Sequence, residues 1–350
     1  MQRYYDIISG KRNDAAAMFY RLGLGAISVP YGLAVRVRNY LYDKQIRTVH
    51  QFSLPVISVG NLTLGGTGKT PVVAYLVKHF LSLNLRAGIV SRGYRKNADG
   101  TNDEYRELAF RFPNTPHIQN PDRVAGAKEL LNQAPTDVLI LDDAFQHRRI
   151  ARTLDIVLLD ATQPFGFGHL FPRGTLREPL TGLRRADIVL LSRADMIAPH
   201  ERKKIRDNVL RIAPDIVWGE IAHYPENTIT VDQKTHPLDS LRGKTALAFC
   251  GIGNPAAFRR TLEICGVRVA ELLEFPDHYL YAARGLNHIE QMAENLIPDV
   301  ILCTMKDIVK IDCPTIANIP VQAVSVGIRF FDGEAAVLQR IEQSLGNFHL

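Results

Sequence analysis

The residues with the clearest chemistry form one continuous run, Gly60-Asn61-Leu62-Thr63-Leu64-Gly65-Gly66-Thr67-Gly68-Lys69-Thr70. It follows the apolar stretch PVISVG (55–60) and precedes the apolar helical pattern PVVAYLVKHFLSLN (71–84). Glycines let successive N–H groups turn toward phosphate oxygens, and a helix start adds a favourable dipole. In this reading Gly65, Gly66, Thr67 and Gly68 cradle the phosphates of ATP. Lys69 reaches the β- and γ-phosphates, and the Thr70 hydroxyl coordinates Mg²⁺. Pro71 sits in the opening turn of the helix, where its missing N–H costs least. Thr63 stands where the strict GxxxxGK[ST] pattern has glycine, so the loop is a variant of that pattern.

A phosphate loop needs acidic partners for its metal. DVLILDDAFQHRR (137–149) supplies them as an apolar strand ending in Asp142-Asp143. At the carboxyl end of a strand in a parallel sheet such side chains face the ligand crevice, and either one could hold Mg²⁺ as a Walker B aspartate does.

These groups need a scaffold, and the sequence spells one out. The runs PVISVG (55–60), AGIVS (87–91), DVLILDD (137–143), DIVLLD (155–160) and DIVLLS (187–192) are nearly continuous in Val, Ile and Leu. Strands buried on both faces of a parallel sheet read this way. Helix-length segments such as 71–84 and 122–133 lie between them, giving an α/β, P-loop NTPase-type doubly wound sheet. After about residue 215 the sequence turns polar, and a second α/β group follows, with TALAFCGIGNP (245–255), DVILCTMKD (299–307), PVQAVSVGI (320–328) and a helix over 333–345. The expected organisation is an N-terminal membrane-associating helical segment (1–48), a P-loop core (49–219), a linker (220–243), and a smaller C-terminal α/β domain (244–350) that closes over the active site.

Composition narrows the partners. The net charge of +6 points to an anionic partner without saying which. Cys250, Cys265, Cys303 and Cys313 form no CxxC pair and have no histidine at zinc spacing, as expected of buried thiols in a reducing compartment. No secretory signal stands at the N-terminus. Between Arg21 and Arg36 runs LGLGAISVPYGLAV, too short for an unassisted span of about 20 residues and interrupted by Pro30. With Arg36, Arg38, Lys44 and Arg47 beside it, the segment suits the interface of an anionic membrane surface. The alternative is a helix pair packed on the protein's own core.

GNLTLGGTGKTP (60–71), SRGY (91–94), Asp122-Arg123, LDDAFQHR (141–148), GTLREP (174–179), FPDHY (275–279) and TMKD (304–307) together resemble the tetraacyldisaccharide 4′-kinase family of lipid A biosynthesis. The resemblance implies transfer of the γ-phosphate of ATP to the 4′-hydroxyl of an acylated disaccharide-1-phosphate lipid at the cytoplasmic face of the inner membrane. It also implies that Asp103 helps to deprotonate that hydroxyl with His278 as its partner, and that Glu178 lies near the metal. The family carries glycine where this chain has Asn102. The two halves of the pair fall in different expected domains, so closure of a cleft would join them. Arg92, Arg123, His147, Arg148 and Arg177 are candidates for holding the substrate phosphates, since guanidinium forks match phosphate oxygens. Ser192-Arg193-Ala194-Asp195 and Thr304-Met305-Lys306-Asp307 follow strands and resemble base-recognition segments of nucleotide enzymes.

Two rivals compete with this reading. Another P-loop small-molecule kinase or GTPase explains Lys69 and the aspartates but leaves FPDHY, LDDAFQHR and SRGY unexplained. A non-catalytic nucleotide-regulated binding module would fit the basic charge. Nucleic acid is not the expected partner, because the arginines interleave with the motifs instead of forming a lysine-rich stripe with stacking aromatics.

Overall fold

A computed structural model describes residues 2–93 and 100–346. Tyr94, the last residue of the SRGY match, lies outside the described residues. The chain divides into two compact units. The first comprises Met1–Arg92, His117–Ala222 and Arg329–Leu350; the second comprises Gly93–Pro116 and His223–Ile328.

Strands β1 (Val56–Asn61), β2 (Ala87–Ser91), β3 (His117–Gln119), β4 (Val138–Asp142), β5 (Leu154–Asp160) and β6 (Ile188–Ser192) belong to the first unit. With the start of β7 (Val217–Thr230) they form a parallel sheet in the order β7-β6-β5-β1-β4-β2-β3. Every residue of β1, β2, β4, β5 and β6 is buried, as their unbroken Val/Ile/Leu runs require. Each such side chain removed from water contributes roughly 1.5–3 kcal/mol. One apolar cluster gathers Val56, Val90, Leu130 and Leu139, and another gathers Leu62, Phe145, Val157, Leu191 and Trp218. Because β1 is flanked by β4 and β5, its carboxyl end lies where the chain order in the sheet reverses, the usual ligand crevice of such folds.

The second unit holds β8 (Thr235–Pro237), β9 (Thr245–Cys250), β10 (Arg268–Glu274), β11 (Val300–Thr304), β12 (Thr315–Ile316) and most of β13 (Ile319–Asp332). β10, β9, β11 and β13 run parallel in that order, β12 pairs antiparallel with β13, and β8 with β7.

Three boundaries differ from the sequence expectation. Residues 220–243 are not a linker: β7 continues to Thr230, and β8 and the 3₁₀ turn Leu238–Leu241 follow. The alternation of polar and apolar residues in 217–230 is that of a strand whose burial varies along its length, and its polar half resembles a loop in composition. The helix Glu334–Leu345 belongs with the first unit, where Arg340 pairs with Asp187. Residues 93–116 belong to the second unit, because Phe110 packs into the cluster around Phe249 and Ile301 and Arg111 donates to the Val326 carbonyl at 3.2 Å.

The N-terminal segment is part of the first unit. The apolar run lies within one helix of 29 residues, Ala15–Asp43. It is long and apolar enough to cross a membrane by length and composition. Asp14 starts it by accepting from Ala17 N, and it continues through Pro30, which removes one helical donor. One face is tied down: Tyr31 Oη donates to the Arg177 carbonyl at 2.7 Å, and Ser28 Oγ to the Leu170 carbonyl at 3.1 Å. The other leaves Phe19, Leu22, Val29 and Leu33 exposed.

Candidate active site

The phosphate loop is held from both sides. Asn61 Nδ2 donates to the Thr63 carbonyl at 2.9 Å. Leu64 N donates to the Thr175 carbonyl and Arg177 N to the Leu62 carbonyl, each at 2.7 Å. Arg193, ion-paired with Asp160, donates from Nη2 to the Gly66 carbonyl at 2.9 Å. Gly68 has φ +85°, a left-handed turn that only glycine adopts without strain, and caps the helix Lys69–Ser82, with Thr70 and Pro71 in its first turn. A Cβ placed on Gly65 or Gly66 would meet nothing within 4 Å, so their backbone borders open space. A cavity of about 200 Å³ lies there, lined by Gly65, Gly66, Thr67, Asp160, Thr175 and Arg193. Thr67 Oγ1 is buried without a hydrogen-bond partner among the described residues. An exposed row of amides, a helix start and an orphaned hydroxyl fit a polyphosphate.

Val59 on β1 is in register with Asp142 on β4, which sets the acidic pair beside the loop. Asp142 is buried. Asp143 takes φ +50° and turns to two cations, Lys69 Nζ at 3.3 Å and Arg177 Nη1 at 2.8 Å. Burial alone would raise its carboxyl pKa, but Lys69 and Arg177 outweigh it and hold Asp143 below the usual range. Arg123, buried, donates to the Asp143 carbonyl at 3.3 Å. The structure therefore brings Lys69, Asp143, Arg177 and Arg123 together.

Other predicted residues have different surroundings. Glu178 is fully buried, and its oxygens accept from Arg185 Nη2 at 2.8 Å, Gln146 Nε2 at 3.0 Å and Asn39 Nδ2 at 3.1 Å. Arg148 turns to the helix Ala15–Asp43, pairing with Asp43 at 2.7 Å and donating to the Asn39 carbonyl at 3.0 Å. His147 is held neutral: burial first, then Arg123, Arg152 and Arg149, push its pKa down to about 4. Arg92 is exposed. Asp143 and Glu178 accept from cationic or amide donors, and Asp142 lies at the end of β4 beside β1. Among the described residues no three His, Cys, Asp or Glu side chains gather as a metal cage; a Mg²⁺ held mainly by phosphates and water needs none.

The second unit carries Asp103 and His278 together. Asn102 caps the helix Asp103–Arg111 by accepting from Tyr105 N at 2.9 Å, which makes Asp103 the first helical residue. His278 Nδ1 is 2.8 Å from Asp103 Oδ2. Both residues lie in one compact unit, so no closure between domains is needed to join them. That expectation failed because 93–116 packs with the second unit. Lys310 Nζ lies 2.9 Å from the same Oδ2. Sequence reasoning missed Lys310, whose only signal is its helical spacing, three residues after Asp307 of TMKD. It also missed Asn39 and Arg185, which nothing local marks, and the part Arg193 plays in bracing the phosphate loop.

Comparison with known proteins places nearly the whole chain beside named relatives. Residues 20–346 match the family described as Tetraacyldisaccharide-1-P 4′-kinase. A tetraacyldisaccharide 4′-kinase of Halothermothrix orenii is 35% identical over 334 residues, covering 87% of this chain and 86% of that protein. One from Geobacter sulfurreducens is 33% identical over 343 residues, covering 93% and 94%. The crystal structure of LpxK from Aquifex aeolicus in complex with ATP superposes with a TM-score of 0.75 at 28% identity, covering 93% of this chain and 99% of that one.

Proposed function

This chain belongs to the tetraacyldisaccharide-1-phosphate 4′-kinase family, and from that premise we propose how its two units share one reaction. The chain is an ATP-dependent kinase that phosphorylates a tetraacyldisaccharide in lipid A biosynthesis. The first unit handles phosphate. The amides of Gly65–Thr70 bind the triphosphate, Lys69 and Arg177 neutralise charge that spreads over the γ-phosphoryl group, and Arg123 braces the loop that carries Asp143. Thr70 with Asp142 or Asp143 would hold Mg²⁺, which would neutralise charge on the phosphate oxygens. The second unit handles the proton: Asp103 and His278 form the carboxylate–imidazole pair that takes it from the acceptor hydroxyl.

The lipid acceptor accounts for the long helix Ala15–Asp43. Its exposed apolar face, with exposed Arg36, Lys44 and Arg47 near its end, suits an anionic membrane surface, and the use of ATP supports the cytoplasmic face of the inner membrane. The observation that carries the reading is the open glycine cradle beside the Lys69–Asp143–Arg177 cluster. The test is incubation of purified protein with Mg-ATP and the disaccharide-1-phosphate lipid in detergent, with the product identified by mass. One added phosphate on the distal sugar is expected; ATP hydrolysis with unmodified lipid would refute it.

A further inference from the structure

The helix Ala15–Asp43 shows apolar side chains to the outside on one face and polar ones to the phosphate site on the other. Tyr31 Oη donates to the Arg177 carbonyl at 2.7 Å. The N–H of Arg177 donates to the Leu62 carbonyl, also at 2.7 Å, so the backbone of this one residue is pinned between the helix and the start of the phosphate loop. Its guanidinium reaches Asp143 at 2.8 Å. Ser28 Oγ secures the same segment by accepting from Arg173 N at 2.9 Å. The next residue, Glu178, is fully buried. Its Oε2 accepts from Asn39 Nδ2 at 3.1 Å and from Arg185 Nη2 at 2.8 Å, and its Oε1 accepts from Gln146 Nε2 at 3.0 Å. A Cβ on Gly182 would stand 2.7 Å from Oε2, which encloses the carboxylate on that side as well. Gln146 Nε2 also donates to the Asn61 carbonyl at 2.9 Å, and Gln146 Oε1 accepts from Arg177 Nη1 at 3.4 Å. Hydrogen bonds therefore run without a gap from Asn39 through Glu178 and Gln146 to Asn61, where the phosphate loop begins, and to Arg177. All of these residues belong to the first unit. In a buried polar network of this kind the loss of one partner is felt by the others.

Resting on the reading that this unit binds the triphosphate and that Arg177 neutralises charge on the γ-phosphoryl group, we infer that Tyr31 and Asn39 are positioning residues for phosphoryl transfer. Tyr31 acts through the backbone of Arg177, and Asn39 acts through Glu178 and Gln146. The helix is then a working part of the phosphate site and not only a surface offered to lipid. Its two faces separate cleanly: the exposed apolar side chains serve membrane contact, and the hydrogen-bonded ones serve chemistry.

The test uses full-length protein with Mg-ATP and tetraacyldisaccharide-1-phosphate dispersed in detergent, where no bilayer is needed. Tyr31→Phe combined with Asn39→Leu should lower kcat by roughly 10- to 100-fold, the scale of a small misplacement of a catalytic group. The KM for ATP should stay within about twofold, because the Gly65–Thr70 amides are untouched and the lost interaction acts in the transition state. Binding to anionic vesicles should stay at the wild-type level, since neither side chain lies on the exposed apolar face. Asn39→Asp, which sets a carboxylate where an amide donated to buried Glu178, should be slower than Asn39→Leu. The Arg177→Ala background gives the readout that a general loosening of the fold would not move: there Asn39→Leu should cost less than about twofold more. Wild-type kcat in the double variant, or the same fractional loss from Asn39→Leu with and without Arg177, overturns the inference. Should the double variant fail to fold, Tyr31→Phe alone, which removes a single oxygen, decides: kcat should fall about threefold, the scale of one lost hydrogen bond, and a raised KM with unchanged kcat overturns the assignment. If Arg177→Ala turned over normally, or the wild-type protein left the lipid unmodified, the underlying reading would fail, and this inference with it.

Discussion

The two ion pairs at the centre of each unit differ in how they are built and in how far they are shielded from water. Lys69 and Asp143 meet with side chains 15% and 30% exposed, next to an open cradle. Lys310 and Asp103 meet at 2% and 4%. Asp143 keeps Arg177 at 2.8 Å if Lys69 turns to a ligand, whereas removing one member of a buried pair strands a charge and costs about 3–5 kcal/mol. The phosphate end can therefore exchange its partner for substrate without disturbing the fold. The Asp103 end is enclosed, and of its partners only His278 reaches solvent, with its side chain 43% exposed.

The sharpest way to break this contrast is Lys69→Ala. Phosphoryl transfer should fall by about 10³–10⁵-fold, the scale of other cations that stabilise this transition state, while thermal unfolding stays near wild type because Asp143 keeps Arg177 as a partner. A large loss of stability would place Lys69 in the frame of the fold. Next come Asp103→Ala and His278→Ala, each expected to lower kcat by roughly 10²–10⁴-fold with ATP affinity retained. The double variant should lose far less than the product of the two; multiplicative losses would show that the residues act independently.

A third measurement asks whether the first unit carries the membrane contact as well as the phosphate. Phe19→Asp with Val29→Asp, both on the exposed face, should weaken binding to anionic vesicles by roughly tenfold or more. Activity on detergent-dispersed substrate should remain, since neither residue touches the loop; unchanged vesicle binding would return the helix to a structural role. The smallest expected effect concerns pH and the frame of the first unit. Burial, then nearby arginines, lowers the His147 pKa from 6.5 to about 4, so the unfolded chain binds a proton that the folded chain refuses. The stabilisation is present above pH 6.5 and is lost as pH falls toward 4. His147→Gln should flatten the decline of Tm across that window by on the order of 1–2 °C, and an unchanged slope would show that the ring titrates freely.

Local pattern determined much of this protein. The glycine cluster, the lysine and threonine behind it, and the aspartates at a strand end are contiguous or tied to adjacent parallel strands, so hydrophobic runs and turn chemistry suffice to place them. The ordered motifs carried the family. Tertiary structure alone decided what depends on packing between distant segments. Residues 93–116 leave the phosphate-loop unit because Phe110 and Arg111 find their partners elsewhere. Asp103 thereby joins His278, 175 positions away, and Lys310. Glu178 is enclosed by donors from three separate segments, Asn39, Gln146 and Arg185. A linear sequence records which residues are available. It does not record which carboxylate will be desolvated beside which cation, because burial is a property of the assembled chain, and burial is what divides Asp143, 30% exposed, from Asp103, 4% exposed.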